Sequence, residues 1–368
     1  MDWHGHTILA PLTKGGNLPF RRLCVELGAR VTMSEMAYSR QVVRGSRAEL
    51  ALLRRHPSEA CFGVQLAACK PDEAVAAGRR AVDAGAAFVD INAGCPIHDV
   101  VRRGMGATLL QRPAAWARLI EGLATGLSVP VTVKLRSGWN EEKINAPEVA
   151  RLMEEAGAAA VTLHARTREQ RYTKAADWGL IAQLAAERTI PVVGNGDILT
   201  YYDARERQRQ SGCASVMLGR GALIKPWLFR EIAEQRAIEP TAEERVAIYR
   251  RLAVLMKEHF RDDAKGRERA MRFLPWHLSF FWRYRPLPET EFGGAEHPLM
   301  QTRQRFDADI PMLEQVLRDP REQVHRLLAD ALWDAADDAA AVGAALEIAE
   351  RNPVEGPEQQ DEIETSFG

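Results

Sequence analysis

The chain has 368 residues, 46% of them hydrophobic, so it has room for one large domain and a smaller appended region. No apolar run approaches the ~20 residues of a membrane span, and the first residues lack the basic-then-apolar layout of a secretory signal. The five cysteines are scattered, without the spacing of zinc ligands. This pattern favours a cytoplasmic protein with reduced thiols, no structural metal and no membrane partner.

The net charge of −1 is unevenly distributed along the chain. Residues 334–368 hold ten carboxylates and one arginine, a net of −9 that leaves +8 for residues 1–333. Residues 250–285 contain ten Lys or Arg against four Asp or Glu. An acidic tail on a basic body permits nucleic-acid binding but does not establish it.

Strand-like and helix-like segments alternate over the first two thirds of the chain. Such alternation predicts parallel strands joined by right-handed crossovers. Eight units over roughly 230 residues favour an α/β fold of the (β/α)8 TIM-barrel type over an open sheet. A GxGxxG fingerprint is also absent after the first strand. The predicted strands are 7–12, 31–36, 62–66, 87–92, 130–135, 159–164, 190–195 and 213–218, and helices are predicted at 72–84, 114–124, 146–156 and 176–186.

After Pro240 the pattern indicates helices only. The first follows Thr241 as a cap, and the second contains Pro275, which should kink it. The predicted helices are 241–260, 266–284, 308–318 and 320–350, with a loop at 286–305 and an acidic, disordered end from Pro353. We therefore divide the chain into a barrel at 1–238, a basic helical domain at 239–340 and an acidic, partly disordered tail at 341–368.

Polar groups follow every predicted strand, where a barrel collects its chemistry. A purely structural barrel would need few of them, so a bound polar ligand is expected. In chain order, the candidate site residues at these strand ends are Pro11, Leu12 and Thr13; Gln65; Asn92 and Cys95; Lys134 and Arg136; His164 and Arg166; Asn195, Gly196 and Asp197; and Gly219 and Arg220.

The last two strands end in glycine-bearing turns, Gly-Asn-Gly-Asp and Gly-Arg-Gly-Ala. Their backbone N–H groups can face a phosphate at a helix start, with Arg220 adding a charged contact. The alternative is that these glycines only make tight turns. Strand alternation also turns Lys134 towards the barrel interior, where a buried ammonium needs an anionic or electron-rich partner such as the pyrimidine edge of a flavin. His164 on the next strand is either a second ligand contact or a structural residue.

Cys95 follows a predicted strand in a Gly-Cys-Pro turn. Taken alone, such a residue is more often a small buried side chain than a catalytic one. However, residues 90–96 and 104–110 together resemble the signature of the tRNA-dihydrouridine synthases, and further runs match at 7–20, 62–66, 131–138 and 162–166. The resemblance covers nearly all of residues 7–285. Residues 168–174 and 222–229 are closest to the eukaryotic branch that normally bears N-terminal CCCH zinc fingers. This sequence contains no such fingers, so we expect any RNA selectivity that they provide to be absent.

The resemblance implies an enzyme that binds FMN across the barrel mouth and uses NADPH to reduce uridine in tRNA. It places Pro11, Leu12 and Thr13 against the flavin ring, with Gln65, Lys134 and His164 on its polar atoms. Asn195, Gly196, Asp197, Gly219 and Arg220 would take the phosphate. Cys95 would be the general acid that protonates C5 of a flipped-out uracil, and Asn92, Arg136 and Arg166 would contact that base.

The basic helical region resembles the RNA-binding domain of the same family. Lys265, Arg269 and Arg272 recur at helical spacing and are expected to share one face that contacts tRNA phosphates. The aromatic residues of the same stretch are interpreted as core: Phe273, Trp276, Phe280 and Tyr284. We expect a monomer.

Two other functions stay open from the sequence. One is an FMN-dependent barrel oxidoreductase that acts on a small pyrimidine-like substrate, which would have no use for the basic helical region. The other is a non-catalytic RNA-binding protein that retains the barrel shell. The presence of Cys95, Lys134 and His164 argues against this second alternative.

Overall fold

The computed structural model describes residues 3–291 and 310–353. Its sheet has nine strands, and every pair of neighbours is parallel. Eight of the strands match the predicted runs. The ninth, a two-residue strand that pairs with the end of the third predicted run, was not predicted. The strands are β1 (Ile8–Leu9), β2 (Val31–Met33), β3 (Ala37–Tyr38), β4 (Cys61–Ala67), β5 (Phe88–Ala93), β6 (Val131–Arg136), β7 (Ala160–His164), β8 (Val192–Asn195) and β9 (Ser215–Leu218).

The sheet closes on itself. Strand β2 pairs with β1 on one side and with β4 on the other, and the remaining strands follow in sequence from β4 round to β9 and β1. Strand β3 pairs only with the end of β4, on the edge where β2 pairs with its start, so β2 and β3 fill one position and the closed cylinder has eight strands. The predicted TIM barrel is confirmed.

The barrel interior is apolar at the amino ends of the strands and polar at their carboxyl ends. Trp3 packs edge-on against Phe88, with 5.0 Å between ring centroids, among buried aliphatic side chains. Position 63 must be glycine, because a Cβ there would lie 2.1 Å from the Phe88 ring. Above this layer Asp90 and Thr132 are buried at neighbouring register positions. The core therefore closes one end of the barrel and leaves polar groups at the other.

Helices surround the barrel as the amphipathic patterns predict. The four Ala-rich stretches form α4, α6, α7 and α8, and three of these begin with a proline in the first turn, where its missing N–H costs nothing. The barrel helices are α1 (Leu18–Glu26), α2 (Ser39–Val43), α3 (Arg47–Leu52), α4 (Pro71–Asp83), α5 (His98–Arg102), α6 (Pro113–Gly126), α7 (Ala146–Glu155), α8 (Trp178–Glu187), α9 (Tyr201–Ser211), α10 (Arg220–Ile224) and α11 (Leu228–Glu234), with a 3₁₀ turn at Gly106–Gln111.

The helical region begins with α12 (Ala242–Phe260), whose Thr241 forms the expected cap together with Glu244. The predicted helix 266–284 is instead two helices, α13 (Ala264–Ala270) and α14 (Leu274–Phe281). Pro275 lies in the first turn of α14, so it begins a helix and does not kink one.

The predicted helix 320–350 is also divided. It comprises α16 (Glu322–Asp334) and α17 (Asp338–Arg351), and it follows α15 (Met312–Leu317). Asp337 starts the second part, because its carboxylate accepts the backbone N–H of Ala340 at 2.8 Å.

The expected tail boundary at residue 341 needs correction. Ala341, Ala345 and Ala349 of α17 are buried, and the helix contacts α12, α15 and α16. The packed region therefore extends to Arg351, because alanines on one face of a helix allow close approach even in an acidic segment. The predicted loop at 286–305 and disordered end lie mostly outside the described residues, apart from a 3₁₀ turn at Glu289–Glu291.

The barrel and the helical region are joined near the barrel mouth. Asn17 caps α1 by accepting the N–H of Phe20, so its amide nitrogen faces Nε2 of His277 at 3.1 Å. Phe20 also stacks on His277 with 4.5 Å between ring centroids. Gly15 passes close to the same helix, because a Cβ at this position would lie 3.2 Å from the Trp276 ring. Helix α14 thus packs against the loop that follows β1.

Within residues 3–291 and 310–353, no helix has the length and apolar character to cross a membrane. The same ranges contain no group of His, Cys, Asp or Glu that could hold a metal ion.

Ending the chain at residue 337 should lower the melting temperature by roughly 3–4 °C, because removal of α17 uncovers apolar surface worth about 2–3 kcal/mol. The matched control is a chain that ends at Pro353, which keeps every contact of α17 and should melt with the full-length protein. Thermal unfolding followed by circular dichroism measures both. Equal melting temperatures for the two truncations would show that α17 adds no stability.

Candidate active site

Cys95 is held in a tight turn at the carboxyl end of β5. The side-chain oxygen of Asn92 accepts the backbone N–H groups of Gly94 at 3.2 Å and Cys95 at 2.9 Å. The carbonyl of Cys95 in turn accepts the N–H of Ala107 at 3.1 Å. Gly106 has φ +59°, and a Cβ there would lie 2.8 Å from the Cys95 carbonyl oxygen. The two glycine-containing segments of the signature are therefore one unit that fixes the cysteine.

The thiol of Cys95 is half-buried and lies within electrostatic reach of Lys134 and Arg136. Burial raises its pKa above the ordinary value, and the backbone N–H of Ile97 and the two cations offset this only in part. The sulfur is therefore protonated at neutral pH, which suits a proton donor.

The register of the strands brings the expected polar residues into neighbouring rows. Asn92 pairs with Lys134 across β5 and β6. Arg136 pairs with His164 across β6 and β7, and His164 pairs with Asn195 across β7 and β8. Residues from four separate strand ends thus meet at one side of the barrel mouth.

Lys134 is the buried ammonium of this group. Its Nζ donates to Oδ1 of Asn195 at 3.0 Å, while Nδ2 of Asn195 donates to the Met217 carbonyl. Burial lowers the pKa of Lys134 to about 8, assisted by the charge of Arg136 and opposed by that of Asp90. An anionic ligand beside Nζ would raise this pKa again and stabilise the ammonium, so the site favours such a ligand.

Asp197 organises two arginines at the ends of β7 and β9. Its carboxylate accepts Nη2 of Arg166 at 2.7 and 2.8 Å, Nη2 of Arg220 at 3.3 Å and the N–H of Ala176 at 2.8 Å. A carboxylate has no donor to offer a phosphate, so the predicted phosphate contact of Asp197 would have to come from its backbone N–H. Its side chain instead orients Arg220.

The two glycine-bearing turns also differ from expectation. Helix α10 begins directly at Arg220, whereas α9 begins at Tyr201, several residues after Gly196. Only the second turn leads straight into a helix.

His164 is neutral in this setting. Burial lowers its pKa well below the usual value, and Arg136, Lys134, Arg166 and Arg220 lower it further. Nη1 of Arg166 lies 3.2 Å from Nε2 of His164. Because a guanidinium can only donate, Nε2 accepts and the ring proton sits on Nδ1. His164 can therefore offer an N–H to a ligand.

The two arginines expected to contact a base are already engaged. Arg166 is fully buried and holds Asp197, and Nη1 of Arg136 donates to the carbonyls of Thr167 and Arg171 at 2.9 and 3.3 Å. The side chain of Asn92 also has partners: its oxygen accepts the N–H of Cys95, and its Nδ2 donates to Gln65. Their proposed contacts with a base would have to use the hydrogen-bonding capacity that remains.

Tyr172 is a site residue that strand-end reasoning missed. Its ring centre lies 4.2 Å from the Arg220 guanidinium, 5.9 Å from that of Arg136 and 6.0 Å from that of Arg166. The ring is also 5.9 Å from His164. It is 39% exposed and covers the cationic cluster from a loop. Strand-end spacing cannot identify it, because the loop after β7 is long.

A second missed group lies on the thiol side. Met36 and Tyr38 pack in the same small apolar cluster as Cys95. The Arg103 guanidinium lies over the Tyr38 ring, 5.1 Å from its centroid, and Glu49 accepts the Tyr38 N–H at 2.7 Å. These residues form a wall beside the Cys95 thiol.

The remaining expected residues are distributed as follows. Pro11, Leu12 and Thr13 follow β1, and Leu12 lies within 3.8 Å of where a Gly219 side chain would be. Gln65 is fully buried beneath Asn92. Lys265, Arg269 and Arg272 are exposed, but only the first two belong to α13; Arg272 follows that helix and pairs with Glu268.

The family model described as "Dihydrouridine synthase (Dus)" matches residues 8–292. The chain belongs to the dihydrouridine synthase family. The predicted family resemblance is confirmed.

Similar proteins include the mouse "tRNA-dihydrouridine(47) synthase [NAD(P)(+)]-like", 44% identical over 309 residues, covering 83% of this chain and 47% of the mouse protein. The "tRNA-dihydrouridine(47) synthase [NAD(P)(+)]" of Coprinopsis cinerea is 42% identical over 302 residues, with coverages of 78% and 45%. The chain therefore spans about half the length of these relatives.

Among solved structures, histamine dehydrogenase from Rhizobium sp. 4-9 matches with a TM-score of 0.50 at 15% identity, covering 68% of this chain and 49% of that one. The 6-hydroxypseudooxynicotine amine oxidase of Pseudomonas geniculata N1 matches with a TM-score of 0.51 at 13% identity, with coverages of 72% and 52%. At these identities the likeness concerns the fold alone.

Alkylation of Cys95 by iodoacetamide should be slow at neutral pH and should keep accelerating above pH ~8.5, because only the thiolate reacts and burial raises the pKa of this thiol. Mass spectrometry of the modified peptide measures the rate, with the exposed Cys69 as an internal reference. A rate that levels off below pH 8 would mean that Cys95 is a thiolate at neutral pH and unsuited to donate a proton.

Proposed function

We propose that the protein is an NADPH-dependent flavoenzyme that reduces the C5–C6 double bond of specific uridines in tRNA to dihydrouridine. The observation that carries this proposal is the placement of a protonated thiol and a cationic cluster at one barrel mouth. FMN, when bound, supplies the hydride that it has taken from NADPH.

The residues at the mouth fit FMN in charge and in hydrogen bonding. Lys134, Arg136, Arg166 and Arg220 gather around His164, and together they favour a ligand that carries negative charge. Arg220 is proposed to take the phosphate. Lys134 and the Nδ1–H of His164 are proposed to bond the polar edge of the ring, where a nearby cation stabilises negative charge.

Gln65 and the residues Pro11, Leu12 and Thr13 are assigned to the same cofactor. Leu12 is half-buried and lies beside Gly219, which links the first and last strand ends of the barrel. An apolar side chain in this position can pack against a flat ring. Asn195 and Gly196 complete the proposed cofactor contacts on the neighbouring strand.

Cys95 is proposed to hold a proton at Sγ and to deliver it to C5 of the uracil. Its raised pKa keeps the sulfur protonated at neutral pH, and the Asn92 and Gly106 contacts hold the turn in place. The wall formed by Met36, Tyr38 and Arg103 lies beside the thiol, where a flipped base would enter.

The exposed cations of the helical region support tRNA as the substrate. Lys265 and Arg269 lie on one helix, and neither has an ion-pair partner among the described residues. Such cations bind phosphates without reading sequence. The names of the similar proteins specify uridine 47, and we extend that position to this chain. NADPH is proposed over NADH, and a monomer is proposed as the working form.

The test is to incubate the protein with FMN, NADPH and an unmodified tRNA transcript, and to measure dihydrouridine by mass spectrometry of the nucleosides. Product is expected only when all components are present. Lys134→Met should weaken FMN binding about 10- to 100-fold, because it removes a hydrogen bond from a charged group. The control is Arg326→Met, which removes an exposed cation paired with Glu322 on α16 of the helical region and should bind FMN normally.

Dihydrouridine formation without added or bound flavin would contradict the proposal. So would reduction of free uracil or uridine at the rate seen with tRNA, since that would favour a small pyrimidine-like substrate.

A further inference from the structure

Asp90 is a buried carboxylate for which the proposed function has no use so far. It lies in the barrel interior, 1% exposed, one alternation step below Asn92 on β5. Two side chains donate to it: Oγ1 of Thr132 at 2.6 Å and Nε2 of Gln65 at 2.8 Å. A buried charge with two well-placed donors calls for an explanation, because burial of a carboxylate is costly.

The carboxylate determines which way the neighbouring amides point. An ionised carboxylate only accepts hydrogen bonds, so Gln65 must turn its NH₂ group towards Asp90. The amide oxygen of Gln65 then faces the other way, where it accepts Nδ2 of Asn92 at 2.8 Å. The oxygen of Asn92 in turn faces the N–H groups of Gly94 and Cys95.

This series of hydrogen bonds matters because the two orientations of a side-chain amide have almost the same shape. Only their donors and acceptors distinguish them. If Gln65 were reversed, Asn92 would reverse too and would present its NH₂ group to the two backbone N–H groups. Donor would face donor, and the turn would lose both of its hydrogen bonds to Asn92.

The charge of Asp90 is maintained at neutral pH. Burial raises its pKa to about 6, while the hydrogen bonds from Gln65 and Thr132 and the charge of Lys134 act in the opposite direction. Lys134 is the neighbour of Asn92 in the strand register, so the compensating cation lies in the next layer towards the mouth.

We propose that Asp90 is a positioning residue: through Gln65 and Asn92, its carboxylate fixes the Gly94–Cys95 turn and thereby the place of the Cys95 thiol. Its effect on catalysis rests on the proposed function of Cys95. Its effect on the turn does not, and can be measured without any reaction.

The experiment compares Asp90→Leu with Thr132→Val at pH 8. The first variant removes the acceptor that orients Gln65. Thr132→Val removes the other donor to the same carboxylate and leaves the Gln65 contact intact. At pH 8 Asp90 stays ionised, because this pH lies above its pKa of about 6. Hydrogen exchange of the peptide containing Gly94 and Cys95 is the main measurement, with the β5 amides of Val89 and Ile91 as an internal reference.

We expect the Gly94 and Cys95 amides to exchange about tenfold faster in Asp90→Leu, the equivalent of one lost hydrogen bond, and within about twofold of wild type in Thr132→Val. The β5 reference amides of Val89 and Ile91 should exchange at the wild-type rate in both variants. At saturating FMN, dihydrouridine formation should fall about tenfold or more in Asp90→Leu and stay near wild type in Thr132→Val.

If Asp90→Leu does not fold, Asp90→Asn replaces it. Asparagine offers Gln65 an acceptor in only one of its two amide orientations. We therefore expect the Gly94 and Cys95 amides to exchange faster than in wild type, but by less than the tenfold increase expected for Asp90→Leu.

Equal exchange of the turn in the Asp90 and Thr132 variants would overturn the inference, because Asp90 would then be an ordinary buried polar group. Faster exchange spread evenly over the turn and the β5 reference would also overturn it, because the effect would be on global stability. Faster exchange of the turn alone, with unchanged product formation, would support the positioning of the turn and contradict the proposed role of Cys95.

Discussion

The concentration of positive charge at one end of the barrel is the constraint on which the rest of the site depends. Four cationic side chains surround His164, and Asp197 and Asp90 neutralise them only in part. Hydrogen bonds hold each cation of this cluster in place, and a negatively charged ligand would complete the balance of charge. The cationic side chains are Lys134, Arg136, Arg166 and Arg220.

This concentration of positive charge also explains why the two sides of the barrel mouth hold different groups. On the cationic side, Asp197 holds Arg166 and Arg220, and Arg166 in turn sets the tautomer of His164. On the thiol side, the turn that bears Cys95 is held by Asn92 and by close packing on Gly106. Asp90 and its hydrogen-bonded amides lie beneath both sides. The proposed chemistry thus depends on side chains whose positions are fixed by hydrogen bonds in the layer beneath them.

Much of this could be predicted from the sequence where a regular period governs position. Alternation along β6 places Lys134 in the interior, and the Gly-Cys-Pro turn marks the end of β5. The same alternation could have identified Asp90, two residues before Asn92 on the same face. Tyr172 and the pairing of Arg166 with Asp197 could not be found in this way. They depend on a loop conformation and on contacts between distant parts of the chain.

The helical region shows where local pattern is insufficient. Pro275 was interpreted as a kink, but the same residue also suits the first turn of a new helix, and only the packing of α14 on the β1 loop decides between the two. Likewise, the acidic composition of residues 334–368 predicts a tail from residue 341. The buried alanines of α17 outweigh that composition once there are helices to pack against.

The most direct test of the account is a single-turnover experiment on Cys95→Ser. The flavin of the loaded enzyme is reduced without oxygen, unmodified tRNA is added, and flavin reoxidation is followed by absorbance while dihydrouridine is counted. Serine keeps the size and turn of cysteine but is a far weaker acid. The account predicts intact flavin binding with reoxidation by tRNA slowed about 10²- to 10⁴-fold. Reoxidation and product formation at the wild-type rate would contradict it.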